Sequence, residues 1–322
     1  MDDQATIRTY GNPNLPQGTP DRPLVTFAVF AYNQEKYIRE AVEGALSQTY
    51  SPLEIILSDD CSSDRTFDII QEMSSAYKGP HLVRVRRSHR NLGLIGHIND
   101  VIHLVRSNIV LVAAGDDVSF PYRTVNTVNA FLCSENIMAI YSDCSKAPPS
   151  PFPNTCILKR ISALEIALMG GGIGMGATYA YRRECFVLPR DLPHHLFSED
   201  RILPMRASIL GEVRFLSLPT IMHRDTPTSL TKILSKRRAL SQENVDHLLY
   251  ILDDSKKLLV MQRIKWAYIL IILIKIRVIL ARESNLNSIK SYTLSIIVKM
   301  THKIIRKTYD RKHIRLTLES PI

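Results

Sequence analysis

Short apolar runs that alternate with helix-spaced apolar residues most constrain the fold of this chain. Between residues 24 and 142 lie five runs typical of buried strands, LVTFAVF, LEIILS, HLVRVR, IVLVAA and IMAIYS. The segments between them repeat apolar residues at helical spacing, as at Ile38, Ala41 and Val42. Strands that alternate with helices predict βαβ units and a mainly parallel central sheet with flanking helices. The predicted fold class is therefore α/β.

Polar residues follow the first four of these runs. They are Tyr32 and Asn33, Asp59 and Asp60, Arg90 and Asn91, and Asp116 and Asp117. Ligands of open α/β sheets bind outside the carboxyl ends of the strands, so we expect these residues to line one crevice.

The adjacent carboxylates of Asp116 and Asp117 allow two interpretations. Two neighbouring carboxylates repel each other, so something must compensate for their charge at the end of an apolar run. One interpretation is an acidic turn that caps the next helix. The other is a site for a divalent cation, Mn²⁺ or Mg²⁺, that faces a phosphate group.

Charge and composition divide the chain into three parts. We predict a loose, Pro/Gly-rich leader at residues 1–23, a central domain at residues 24–235 and a basic helical C-terminal tail at residues 236–322. Residues 1–235 hold 23 basic and 24 acidic side chains, whereas residues 236–322 hold 18 and 7, a net charge of +11. Because the excess is confined to the tail, nucleic acid is not an expected partner.

The tail has two apolar stretches of interest. Residues 266–274, WAYILIILI, are too short for a membrane-spanning helix. Residues 289–304 have an amphipathic period with basic side chains around it. This period predicts either a helix that packs on the domain or on a second copy of the chain, or docking on an anionic membrane surface.

Other motifs carry less information. The stretch GIGMGA, residues 172–177, matches a dinucleotide-binding pattern but follows a predicted helix, so a flexible loop near the substrate is the better interpretation. The histidines His194, His195 and His223 lack the spacing of a zinc site and are interpreted as surface or loop residues. Five cysteines without a CxxC pair indicate a reducing, cytoplasmic environment.

Several motifs in order resemble the family-two glycosyltransferases. The segment from VTFAVFAYN through SQTY to DDCSSD resembles the opening of that family. RNLG, AAGDD, the SED near residue 200 and HRDTPTSLT continue the family's order, so that the resemblance covers residues 24–231. It implies a GT-A fold, which is Rossmann-like, with a nucleotide-sugar donor, a divalent cation and inversion at the anomeric carbon.

The resemblance also implies roles for individual residues. It places Ala31, Tyr32 and Asn91 beside the nucleotide, Asp60 on the uracil ring, Asp116 toward the ribose or phosphate and Asp117 on the metal. The turn-like SDDCSSD leaves a structural role open for Asp60, and Asp64 is assigned to capping the next helix. Asp116 is the second candidate metal ligand.

The late motifs supply candidates for catalysis. The resemblance implies that Asp200 is the base that deprotonates the acceptor hydroxyl, with Glu199 as its neighbour or as an acceptor contact. Both also lie in a first helical turn, where the helix dipole stabilises carboxylates whatever their role. Arg224 is expected to meet the diphosphate. Thr226 stands where the family often has a histidine.

The sequence thus predicts a glycosyltransferase that transfers a sugar from a UDP-sugar to a glycan or lipid-linked saccharide acceptor, in polysaccharide assembly. Its expected location is the cytoplasm, at the inner face of the membrane if the tail binds lipid; the tail could instead form a homo-oligomer. A sugar-nucleotide-forming nucleotidyltransferase is the first alternative, but FAVFAYNQE replaces its Gly-rich loop. A non-enzymatic basic adaptor is the second, and it would not need the acidic crevice.

Overall fold

The structure, a computed structural model, describes residues 6–150, 152–169, 172–194, 196, 198–226, 240–262 and 313–318. Its strands are β1 (Thr6–Gly11), β2 (Gly18–Thr19), β3 (Arg22–Pro23), β4 (Val25–Ala31), β5 (Leu53–Asp59), β6 (Leu82–Arg87), β7 (Ile109–Ala114), β8 (Val118–Ser119), β9 (Ile137–Ser145), β10 (Thr155–Ile161), β11 (Tyr179–Arg182), β12 (Glu212–Met222) and β13 (His313–Thr317). Its helices are α1 (Ile38–Leu46), α2 (Thr66–Ala76), α3 (Gly93–Ile102), α4 (Arg123–Leu132), α5 (Ala163–Leu168), α6 (Glu184–Val187), α7 (Glu199–Leu210) and α8 (Leu240–Gln262).

One large mixed sheet forms the centre, in the order β1-β6-β5-β4-β7-β11-β9-β12-β10-β13. Strands β6, β5, β4 and β7 are parallel, as the alternation of strands and helices predicts. Beyond β7 the sheet continues with β11, which is antiparallel to both of its neighbours, and with β12, which is parallel to β9. The predicted α/β class with a mainly parallel core is confirmed.

Two apolar layers cover the faces of the sheet. Alternate residues of β4 point to opposite sides, so Phe27 packs with α1, α2 and α4, whereas Ala28 packs with α3, α5, α7 and α8. The central strands are buried on both faces, which explains why their sequences are continuous apolar runs instead of alternating ones.

The prediction of a loose leader at residues 1–23 is wrong for Thr6–Gly11. This segment is β1, which pairs antiparallel with the outer edge of β6. Its side chains are mostly exposed, including Ile7. Backbone pairing along an open edge holds this strand, so its sequence carries little apolar signal.

The predicted basic helical tail is wrong at its end, where His313–Thr317 forms β13 and pairs with β10. There, Leu316 and Leu318 are buried while Arg315 and Thr317 are exposed, a strand-like alternation within a basic sequence. Helix α8 does lie in the tail, and it packs against α7. Within the described ranges, no helix is long and apolar enough to cross a bilayer. Residues 266–274 and 289–304 lie outside the described residues.

Candidate active site

The carboxyl ends of the parallel strands meet at one edge of the sheet. Ala31 at the end of β4 is in register with Asp59 of β5, which is in register with Arg87 of β6. The backbone N–H of Asp60 donates to the Ala31 carbonyl over 2.9 Å, and that of Gly115 donates to the Phe30 carbonyl over 2.9 Å. The segments that follow the strands are therefore adjacent, at the edge of the sheet where the sequence predicts a crevice.

Asp60 lies at the inner side of this crevice. Its carboxylate is almost fully buried and accepts the backbone N–H of Leu92, at 3.0 Å and 3.1 Å from its two oxygens. Burial raises the pKa of Asp60, and the hydrogen bonds from Leu92 and Ser88 oppose this rise. Asp60 thus fixes the RNLG loop, in which Asn91 Oδ1 accepts the Gly93 N–H over 2.8 Å. The structural role that the sequence left open for Asp60 is present, and a contact with uracil stays a prediction.

The first strand ends in a buried residue followed by an exposed ring. Ala31 is buried, whereas the next residue, Tyr32, is 47% exposed. After it, Asn33 has a positive φ of 51° and ties β4 to the loop after β5, because its Oδ1 accepts the Ser63 N–H over 2.9 Å. Tyr32 therefore offers an aromatic face to solvent beside a rigid turn.

Asp116 and Asp117 do not cap the next helix. Helix α4 begins at Arg123, the side chain of its N-cap residue Tyr122 makes no capping bond, and the Thr124 N–H donates to Gln48 Oε1 over 2.9 Å. Asp117 Oδ1 instead accepts His223 Nδ1 at 3.0 Å and the Arg224 backbone N–H at 2.9 Å. The capping interpretation of the two carboxylates is therefore wrong.

The residues after β12 reach Asp117 because of strand pairing. Strand β8, directly after the two aspartates, pairs antiparallel with the end of β12, with Met222 opposite Val118. This pairing brings the next residues, 223–226, over the aspartates, where the Thr226 hydroxyl donates to Asp116 Oδ2 over 3.2 Å. Thr226, which occupies the position of the family's histidine, thus binds the first carboxylate, and His223 binds the second.

Asp117 is buried and lies next to a second acidic residue, and both features affect the pKa of its carboxyl group. Burial raises the pKa of Asp117, and the neighbouring Asp116 adds to this effect. The Arg224 N–H and His223 oppose the rise. A cation close to this carboxylate would stabilise its ionised form and so would also oppose the rise in pKa.

The arrangement fits a cation that is shared with a phosphate group. Within the described part of the chain, both hydrogen bonds to the Asp117 carboxylate end on Oδ1, which leaves Oδ2 for an outside ligand. Among the described residues, no three His, Cys, Asp or Glu side chains are grouped so that they could hold an ion by themselves. Mg²⁺ in phosphate-binding sites takes one or two carboxylates and completes its shell with water and phosphate oxygens.

Arg224 follows β12 and lies next to Asp117. Its guanidinium forms an ion pair with Glu40 of α1 and lies over the Tyr37 ring, 5.8 Å from the centroid. Its Nη1 is buried, and in the described part of the chain it has no hydrogen-bond partner. A buried guanidinium N–H without an acceptor is available for an anionic ligand.

Glu199 and Asp200 are the first two residues of α7. Burial raises the pKa of Glu199 to about 8, and the adjacent Asp200 adds to the rise. Burial also raises the pKa of Asp200, opposed by Arg201. Glu199 is buried and Asp200 is half-buried, which favours Asp200 for contact with a substrate and disfavours Glu199 as an acceptor contact.

The glycine-rich loop packs directly on Glu199. A Cβ atom at Gly176 would lie 2.5 Å from Glu199 Oε1, closer than carbon and oxygen can approach. Gly176 begins a single 3₁₀ turn that leads into β11, so GIGMGA does not form the strand-to-helix turn of a dinucleotide site. The loop instead closes over the acidic pair.

A buried arginine joins the two acidic regions. Arg123 donates to the Val112 carbonyl over 2.7 Å, to the Ala177 carbonyl over 2.8 Å and to Ser119 Oγ over 2.9 Å. Burial lowers its pKa to about 9, and the charge of Asp117 opposes this, so Arg123 is a cation at neutral pH. Its contacts connect the strand that leads to Asp117 with the turn that covers Glu199.

The sequence did not indicate that His223, Glu40 and Tyr37 belong to this region, whereas it did predict that the loop containing Gly176 lies near the substrate. His223 lies in a loop, as predicted, but it contacts a carboxylate that is 106 positions away in the chain. The only available signal was the HRDT segment itself, because residue spacing does not report the pairing of β8 with β12.

Part of the chain is similar to a known protein family. Residues 26–143 match the family described as glycosyl transferase family 2. An uncharacterized protein of Mycobacterium tuberculosis is 30% identical over 203 residues, 60% of this chain and 56% of that protein. The chain therefore spans about half the length of this curated relative.

A second relative has a described activity. The Escherichia coli protein WfaP, described as UDP-Glc:alpha-D-GlcNAc-diphosphoundecaprenol beta-1,3-glucosyltransferase, is 30% identical over 120 residues. The match covers 37% of this chain and 45% of WfaP.

Solved structures of glycosyltransferases share the fold. S. aureus TarS in complex with UDP-GlcNAc superimposes with a TM-score of 0.57 at 18% identity, covering 72% of this chain and 66% of that one. The mannosyltransferase PcManGT of Pyrobaculum calidifontis, in complex with GDP-Man and Mn²⁺, superimposes with a TM-score of 0.53 at 17% identity. This match covers 89% of this chain and 83% of PcManGT. Residues 26–143 are thus similar to glycosyl transferase family 2, and the chain has the GT-A fold of these solved structures.

Proposed function

We propose that this chain transfers a sugar from a UDP-sugar to a glycan or lipid-linked saccharide acceptor during polysaccharide assembly, with a divalent cation and with inversion at the anomeric carbon. The family and the activity described for WfaP support this class of reaction. The observation that carries the proposal is the convergence of Asp60, Asp117 and Arg224 at the strand ends. Through Arg123 and the glycine-rich loop, this region is connected to the acidic start of α7.

The nucleotide is proposed to bind over β4 and β5. Tyr32 presents an exposed ring directly after the end of β4, next to the small side chain of Ala31. Asp60 is held by the RNLG loop, which also carries Asn91. A fixed carboxylate can accept the imide N–H of uracil, so this position suits the base of a UDP-sugar.

The diphosphate is proposed to lie between Asp117 and Arg224. A divalent cation, when bound, neutralises charge on the diphosphate leaving group. Asp117 would hold it through Oδ2, with Asp116 as second ligand. Arg224 adds a guanidinium with an unpartnered Nη1, which suits an anionic oxygen.

The acceptor hydroxyl is proposed to lose its proton to Asp200. With its pKa raised to about 8, Glu199 keeps its proton at neutral pH. We assign the negative charge of the pair to Asp200, because it is the more exposed of the two carboxyl groups. An inverting displacement needs one base on the acceptor side, and a single ionised carboxylate satisfies that requirement.

Docking of the tail on an anionic membrane surface also stays a proposal. It rests on the net charge of +11 in residues 236–322. Such docking would bring a lipid-linked acceptor to the crevice and would place the protein at the inner face of the membrane.

Thermal unfolding with nucleotides tests the donor site. UDP with Mn²⁺ should raise the Tm of the wild-type chain more than UDP with EDTA does, because a ligand that binds only the folded state stabilises it. Asp117→Asn should abolish this difference, whereas Asp68→Asn, an exposed position on α2, should retain it. An Asp117→Asn variant with unchanged metal dependence would remove Asp117 from the cation site.

A further inference from the structure

The acidic start of α7 is held by a residue of the C-terminal helix. The backbone N–H of Ser198, the N-cap residue of α7, donates to Nε2 of His247 over 3.2 Å. His247 lies on α8 and is completely buried. Ser198 directly precedes Glu199 and Asp200, so this hydrogen bond acts one residue away from the proposed base.

The chemistry of the bond fixes the state of His247. A backbone N–H can only donate, so Nε2 must offer its lone pair and the ring proton must be on Nδ1. The first N–H groups of a helix have no partner within the helix, and a buried unpaired donor costs about 1 to 3 kcal/mol. The Ser198 side chain makes no capping bond, and His247 instead satisfies the Ser198 N–H.

A second anchor holds the segment that leads into α7. Asn99 of α3 makes a pair of hydrogen bonds with the backbone of Leu192, donating to its carbonyl over 2.7 Å and accepting its N–H over 3.1 Å. The chain from Leu192 to Ser198 is thus fixed at Leu192 by α3 and at Ser198 by α8. The contact at Ser198 is the one next to the first residue of α7.

An ion pair keeps α8 in place on α7. Arg206, buried within α7, contacts Asp254 of α8 at 2.5 Å. Arg206 also donates to the carbonyls of Cys185 and Phe186, over 3.1 Å and 2.8 Å. These contacts lock α8 in its place along α7, and with it the position of His247.

We infer that His247 is a positioning residue for catalysis, because its bond to Ser198 fixes the backbone from which Glu199 and Asp200 project. The inference rests on the proposed function. It makes the C-terminal helix, which lies beyond the family match at residues 26–143, part of the catalytic apparatus. From the sequence, this region is predicted only to be a basic helical appendage or a membrane-docking tail.

Three variants in the full chain test this role. His247→Ala removes the acceptor. His247→Gln keeps one, because the Gln side-chain oxygen can reach the place of Nε2. Leu258→Ala loosens the same helix contact without touching Ser198, since Leu258 is buried on α8. UDP release from a UDP-sugar gives kcat and KM, calorimetry gives the Kd for UDP, and thermal unfolding gives Tm.

The expected pattern separates positioning from stability. His247→Ala should lower kcat by about 10- to 100-fold at an unchanged UDP Kd, since a misplacement of about 1 Å near the reacting groups can cost that much. His247→Gln should recover most of kcat. Leu258→Ala should lower Tm at least as far as His247→Ala does. It should change kcat by less than about 3-fold, because it leaves the reacting groups in place.

Two outcomes would overturn the inference. One is an equal loss of kcat in His247→Ala and Leu258→Ala, and the other is a failure of His247→Gln to exceed His247→Ala. A wild-type chain that releases no UDP from any UDP-sugar refutes the proposed function instead. Hydrogen exchange at the Ser198 amide then decides the structural claim, which requires faster exchange in His247→Ala than in Leu258→Ala.

Discussion

Replacing Gly176 with alanine puts a methyl group against the Glu199 carboxyl. The new Cβ would lie 2.5 Å from Glu199 Oε1. Because ordinary contacts need about 3.5 Å, the carboxyl oxygen must retreat by about 1 Å. Gly176 does not have a positive φ, so alanine fits the backbone and the strain falls on the Glu199 side chain.

The cost in stability should be small and the cost in rate large. Overpacking typically lowers the free energy of unfolding by about 1 to 3 kcal/mol. Alanine also reduces the conformational entropy of the unfolded chain, which raises the free energy of unfolding by about 0.4 to 1 kcal/mol. The net cost is then at most about 2.6 kcal/mol, and we expect Tm to fall by no more than about 4 °C in a chain of this length. The displaced carboxyl lies beside Asp200, so kcat should fall by about 10-fold or more.

Gly172→Ala in the same loop is the matched control. Its Cβ would meet Arg201 Cγ at 3.5 Å, an ordinary contact, so Tm and kcat should stay close to wild type. UDP release at several pH values and thermal unfolding measure both quantities. A Gly176→Ala enzyme with the kcat and pH profile of the wild type would refute the view that this turn positions the acidic pair.

Two further predictions concern charge. Because burial raises the pKa of Glu199 from 4.5 to about 8, the folded chain keeps a proton that the unfolded chain releases, and stability is lost as the pH rises through this range. The Tm of Glu199→Gln minus the Tm of the wild type should therefore increase from pH 5 to pH 8. A difference in Tm that does not change with pH would contradict the raised pKa of Glu199. Glu40→Gln should tighten UDP binding by about 1.5- to 5-fold, since it frees Arg224 from a half-exposed ion pair. Glu43→Gln on the same helix is the calorimetric control, and weaker UDP binding in Glu40→Gln would show that Glu40 supports Arg224 instead of competing for it.

Local sequence patterns predicted the elements that build the crevice. The apolar runs located the central strands, and the rule that ligands bind at the carboxyl ends of parallel strands placed Asp60 and Asp117 on one edge. These features depend on residues close together in sequence, so periodicity reports them.

Contacts between distant segments could not be predicted in this way. His223 reaches Asp117 through the pairing of β8 with β12, and His247 reaches Ser198 through helix packing across 49 positions. Strand β1 is held by backbone bonds at an exposed edge, so its side chains carry no apolar pattern. Tertiary packing determines each of these, and a single sequence shows none of it.

Donor turnover in Asp200→Asn tests the central claim most directly. UDP release would be followed from a panel of UDP-sugars with Mn²⁺, with either water or GlcNAc-diphosphoundecaprenol as acceptor, alongside calorimetry of UDP binding. If Asp200 is the base of a glycosyltransferase, Asp200→Asn should bind UDP like the wild type while its turnover falls by about 10² to 10⁴-fold. Turnover near the wild-type rate in this variant would show that Asp200 only begins a helix, and would contradict the proposed mechanism.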